Sequence, residues 1–213
     1  MEPEAFRELA QTCMGCRLCG PKSAAVTWPA LGYFPPTAKI LLIGQNPAQP
    51  KMGQEKIEFK RDWEKYFDTA DPIEYMAWYG KWLKVSSMAR ELEAYLGRAW
   101  LDSGLFAVTN AVRCRTFNNR IPSEDWMYNC KRYTQEVIKD FRYVVVMGSL
   151  ARKQVRLERG PAPKVYLDME TDRYYLYIAH YVWRPKEGDG SRTAEKKTAL
   201  KFVDFAINGT PLS

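Results

Sequence analysis

Apolar and polar positions follow two rhythms along this chain. Four short runs are almost wholly apolar: AKILLIG (Ala38–Gly44), LFAVTN (Leu105–Asn110), YVVVMG (Tyr143–Gly148) and YYLYIAH (Tyr174–His180). Runs of that length with no alternating polar face predict strands covered on both sides, as in a parallel sheet. Between them the spacing turns helical, over Ser86–Leu96, Ser123–Asp140, Ser149–Glu158 and Thr193–Ile207, with a short helix over Glu4–Gln11. Ser123-Glu124-Asp125 suits a helix N-terminus, because a small polar residue followed by acids meets the unpaired amides there. Pro21–Pro36 is punctuated by proline and glycine and leads into the first strand. Residues 49–84 have no clean period and are rich in aromatics and charges. They predict a helical excursion whose rings pack onto the sheet.

Strands alternating with helices predict a three-layer α/β/α sandwich around a central, mostly parallel four-stranded sheet. We expect one domain over residues 1–213, with a cysteine-bearing turn at 10–20 and the aromatic excursion at 49–84. Ligands of such sheets bind outside the carboxyl ends of the strands. Those ends carry Gly44, Gln45 and Asn46, then Asn110, then Gly148 and Ser149, and finally His180.

Composition narrows the setting. The 213 residues are 46% hydrophobic and 14% aromatic, which suits a globular chain with a sizeable core. No apolar run approaches the length of a membrane span, and the first residues, MEPEAFRELA, lack a basic region followed by an apolar one. A cytoplasmic protein with no membrane partner is expected. The formal net charge of +7 suits a polyanionic partner. Five cysteines in such a chain are not a disulfide scaffold. Cys13, Cys16 and Cys19 crowd into seven residues around glycine, and thiolates two residues apart can present both sulfurs to one centre. Metal or cluster ligation follows for that turn. Fifteen residues separate Cys114 from Cys130, and Arg113, Arg115 and Arg120 accompany them.

Taken together, these motifs resemble the uracil-DNA glycosylase superfamily, and most closely its iron–sulfur branch, families four and five. The strand-end motif stands here as Gly44-Gln45-Asn46-Pro47-Ala48. The asparagine segment reads Thr109-Asn110-Ala111-Val112-Arg113-Cys114-Arg115, followed by Asn119-Arg120-Ile121-Pro122. A strand ending at Gly148-Ser149 and a late histidine complete the set. The resemblance covers about residues 10–205 and implies that Cys13, Cys16, Cys114 and Cys130 hold a [4Fe–4S] cluster, with zinc as the alternative for a four-cysteine set. Cys19 is left without a role. Three departures stand out. Gln45 replaces the branch's usual acid, the family's G-R-P-F element is absent, and the usual H-P-S reads His180-Tyr181-Val182.

The resemblance implies a monofunctional DNA glycosylase that works as a monomer, flips a base out of DNA and hydrolyses its N-glycosidic bond, with uracil as the default base. Negative charge grows on the departing base, so a donor is needed at its carbonyl oxygen. His180, the sole histidine, stands in the family's histidine position, although a lone histidine is more often structural. An amide of Gln45 or Asn46 can position the attacking water, while Asn-Pro chemistry at a strand-to-loop turn is the rival reading. Asn110 offers donor and acceptor in one plane to a base edge. Phe59 lies at the right distance after Gly44 to stack on the base, with Tyr79 as the fallback. Arg115, Arg120 and Ser149 are expected against the DNA backbone, and Arg184 and Lys186 in the loop that enters the duplex. Two other functions stay open. One is a glycosylase for an enlarged pyrimidine, such as glucosylated hydroxymethylcytosine in phage DNA. The other is a non-catalytic metal or cluster protein that binds nucleic acid.

Overall fold

The computed structural model describes residues 4, 7, 8, 12, 32–45, 71–114, 122–180 and 191–212. Within them run β1 (Ile40–Gly44), α1 (Pro72–Val85), α2 (Ser87–Leu96), β2 (Phe106–Asn110), α3 (Glu124–Lys139), β3 (Tyr143–Met147), α4 (Ser149–Gln154), β4 (Lys164–Asp168), β5 (Arg173–Ile178) and α5 (Ser191–Asn208). The strands form one sheet in the order β2-β1-β3-β5-β4. All neighbours are parallel except β4, which runs antiparallel to β5.

Alternation along the strands builds the layers. On one face Ile40, Leu42, Phe106, Val108, Val145, Met147, Leu176 and Ile178 pack with α1, α2 and α5. On the other, Leu41, Ile43, Ala107, Val144, Val146, Tyr175 and Tyr177 pack with Val137 and Ile138 of α3 and Ala151 of α4. Every residue of β1 and β2 is buried, as apolar runs covered on both sides require. The three-layer architecture expected from the sequence is therefore present.

Two corrections apply to the sequence reading. The sheet has five strands among the described residues, not four. Strand β4, KVYLD, is not announced by the sequence because it is a half-exposed edge with only three apolar residues between a charge at either end. Helix α4 stops at Gln154, before the expected Glu158, whereas α5 starts earlier and ends later than Thr193–Ile207. Elsewhere the boundaries hold to within two residues, β1 starting at Ile40 instead of Ala38 and β5 ending at Ile178 instead of His180. Ser86 caps α2, its Oγ accepting from the Ala89 amide at 3.1 Å. Asp71 caps α1 by accepting from the Ile73 and Glu74 amides at 2.8 and 3.1 Å. Ser123 does precede α3, but its side chain makes no capping bond, and the acids Glu124 and Asp125 fill the first turn.

The irregular stretch resolves at its C-terminal end. Residues 72–85 are helical, and Tyr75, Trp78, Tyr79 and Leu83 all enter the core. Residues 49–70 lie outside the described part, as do most of the cysteine turn and residues 181–190. At the N-terminus, residues 4, 7, 8 and 12 are helical, consistent with the expected short helix.

Candidate active site at the switch point of the sheet

The connection from β1 runs to β2 on one side, while the connection from β3 leads to β4 and β5 on the other. The crevice between the carboxyl ends of β1 and β3 is thus the topological switch point, where ligands of open α/β sheets bind. Four strand ends meet there.

Asn110 pairs in register with Gly44, and its side chain lies over that glycine. A Cβ added at Gly44 would stand 2.8 Å from Asn110 Oδ1, so the bare backbone is what admits the amide. The ladder continues beyond the strands, with the Ala111 amide donating to Gly44 O at 2.8 Å and the Val112 amide to Gln45 O at 2.9 Å. This holds β2's exit segment against β1's, so Asn110 and Gln45 are set on continuous sheet backbone.

Gly148 separates the other two groups. A Cβ there would lie 3.0 Å from Gln45 Cδ and 3.3 Å from His180 Cβ. Its backbone, at φ +86 and ψ 166, is in a region essentially reserved for glycine. Two independent demands, close approach and backbone conformation, therefore fix glycine at this point. It lets β3 turn directly into α4 while Gln45 and His180 close in on either side. Burial pushes the His180 imidazole below the ordinary histidine value, favouring the neutral ring near neutral pH.

The structure thus brings Gly44, Gln45, Asn110, Gly148 and His180 to one end of the sheet. Ser149 is exposed at the start of α4, on the same side. Tyr79, considered as a stacking ring, is buried in the core, stacked on Tyr75 at 5.6 Å and tilted against Trp78. That is the packing expected of most aromatics in its stretch. Arg113 is 1% exposed, an internal cation instead of one presented to a phosphate. Asn46, Phe59, Arg115, Arg120, Arg184, Lys186, Cys13 and Cys16 lie outside the described residues.

Cys114 and Cys130 are both buried and lie in the same small cluster with Val112, Met127 and Leu150. Among the described residues no group of three or more metal-ligating side chains forms around them. Two thiols gathered in one apolar cluster are chemically suited to supply two ligands to a thiolate-bound metal centre.

Two positioning groups escaped the sequence reading. Gln154, at the end of α4, is buried and donates from Nε2 to Ala111 O at 2.6 Å and Met127 O at 3.2 Å. It ties the segment after Asn110 to the helix that carries Cys130. Glu195 of α5 is 5% exposed and reaches the backbone beside His180. Its signal was present in the sequence: Glu195 shares one helical stripe with Ala199, Phe202, Val203 and Ala206, so an acid occupies a core position.

A three-layer α/β domain with amides and a neutral imidazole at its switch point is a ligand-binding fold of the doubly wound type, with polar groups suited to a heterocyclic edge. The chain matches the Uracil DNA glycosylase superfamily over residues 31–201 and belongs to that superfamily. Membership points to a DNA glycosylase, a hydrolase that acts on DNA. A comparison with curated proteins found no match. Among the described residues no helix is long and apolar enough to cross a membrane.

Proposed function

We propose that the protein is a monofunctional DNA glycosylase of the iron–sulfur branch, which flips uracil out of DNA and hydrolyses its N-glycosidic bond to leave an abasic site. The observation that carries this reading is the convergence of Gln45, Asn110 and His180 around two glycines at the switch point. A base inside a duplex is unreachable, so the nucleotide must turn out into this crevice. Asn110 hydrogen-bonds the base edge, and Phe59 stacks on its face. As the C1′–N bond breaks, its electron pair moves into the base, and neutral His180 donates a hydrogen bond to the carbonyl oxygen where that charge collects. Water held by the amide of Gln45 or Asn46 adds to the sugar cation at C1′ and releases its proton. Arg115, Arg120, Ser149, Arg184 and Lys186 contact the DNA.

Cys13, Cys16, Cys114 and Cys130 would hold a [4Fe–4S] cluster, with zinc as the alternative occupant. Its contribution is structural, bracing the segment that carries Arg115 and Arg120. A second reading, a glycosylase for an enlarged pyrimidine with a role in phage defence, is favoured by one observation. Gln45, packed against Gly148, puts a neutral amide where the branch has an acid.

Labelled oligonucleotides carrying uracil, hypoxanthine, hydroxymethylcytosine or its glucosylated form, single- and double-stranded, test both readings after alkaline cleavage of abasic sites. Release of uracil is the expected result. Release of modified cytosine alone establishes the second reading. DNA binding without release of any base overturns the enzyme and leaves a binding protein.

A further inference from the structure

The strand that presents His180 ends before it. The β5 ladder closes with Ile178 opposite Met147, and Gly148 N donates to Ile178 O at 3.0 Å. Ala179, directly before the histidine, gives its amide to no strand. Instead it donates to Glu195 Oε1 at 2.5 Å. The other carboxylate oxygen, Oε2, accepts from Tyr95 Oη at 3.4 Å. Tyr95 belongs to α2, and Arg192, one turn before Glu195, bonds Glu91 of α2 at 3.1 Å. Lys196 Nζ sits over the Tyr95 ring at 5.9 Å. One buried carboxylate therefore joins α2, α5 and the backbone that leads into His180.

Burying an acid in a helix's apolar stripe costs free energy unless it is well bonded, so packing alone gives no reason for it. A charge-assisted bond to a backbone amide is short and directional, and it fixes the peptide plane that the next side chain leaves from. We propose that Glu195 is a positioning residue for His180, holding the Ala179 peptide so that the imidazole is set before substrate arrives. The functional half of this inference rests on His180 acting as donor to the departing base. The structural half does not.

His180 is the chain's only histidine, so one imidazole signal in a nuclear magnetic resonance spectrum reports it without assignment. Glu195→Gln keeps an oxygen able to accept from Ala179. Glu195→Asp keeps the charge but is one methylene too short. In Glu195→Asp, which keeps the charge, the imidazole signal should move, and its titration midpoint should return toward the ordinary histidine value as the ring leaves its buried position. In Glu195→Ala the signal should move as well. Glu195→Gln, which keeps an acceptor but loses the charge, should move the signal far less and should not raise the midpoint. Single-turnover base release should fall roughly 10- to 100-fold in Asp and Ala at unchanged DNA affinity, and by far less in Gln. In a His180→Ala background the Glu195→Ala loss should vanish, since it acts through the missing ring.

An unchanged imidazole signal in Glu195→Asp overturns the positioning role. So does a loss of rate that persists in full when His180 is absent. If the signal responds but His180→Ala releases base normally, positioning stands and the donor role falls. Should the Ala variant not fold, the Asp and Gln pair carries the same test.

Discussion

At the scale of one residue, the proposed donor is His180. Its burial lowers the folded-state proton affinity, so the neutral ring is the resting form at neutral pH. If the neutral ring is the donor, single-turnover base release is flat above the ordinary histidine value of about 6.5 and falls as pH drops through the depressed value. A rate that instead rises on acidification would mean imidazolium is the active form. His180→Ala should lower the rate about 100- to 1000-fold, the usual loss for one preorganised donor to a developing oxyanion. The same shift links to stability. The unfolded chain binds this proton more tightly, so the contribution is fully present above the unfolded value and lost as pH falls through the folded one. The sign is the same for rate and for stability, and the His180→Ala melting curve separates them.

At the scale of elements, the segment leaving β2 is held where it meets α3 and α4. Gln154 bridges Ala111 and Met127, while Lys153 pairs with Glu124 at the surface. Gln154→Leu leaves two main-chain oxygens without this donor and should cost about 1–3 kcal/mol of stability. If the four cysteines hold the proposed cluster, anaerobically purified wild-type protein should be brown, and the variant should bleach faster in air. Equal bleaching rates would show that the bridge does not support the cysteine centre. The sequence announced the strands and long helices here because apolar runs and helical stripes are local patterns. It placed Asn110, Gln45 and His180 at strand ends because each closes or directly follows such a run. Gln154 was not legible, since its partners lie 43 and 27 residues away and only the packing of α4 on α3 joins them. Strand β4 was missed for a different reason, as this half-exposed edge has only three apolar residues between charges, too few to stand out as a run. Gly148 was legible as one of the strand ends, but that its bare backbone admits Gln45 and His180 on either side is visible only in the structure.

Across the whole molecule, a formal charge of +7 accompanies membership of a superfamily of enzymes that act on DNA. Affinity for duplex DNA should therefore fall with salt, with a slope near −0.9 on logarithmic axes for each phosphate neutralised. Replacing both Arg115 and Arg120 by Ala should flatten that slope by about 2 without altering base preference. An unchanged slope would remove both from the phosphate contacts. The sheet that carries the site also has a margin, since no described strand pairs with the outer side of β4. Such a margin invites a second chain to add itself, and the hazard is greatest in a partly folded molecule. Pro161 and Pro163 immediately precede the strand, Lys164 opens it and Asp168 closes it. Proline offers no amide to an incoming strand, and the charges resist desolvation. The segment that looked least like a strand in the sequence is, for that same reason, a poor template for an incoming chain.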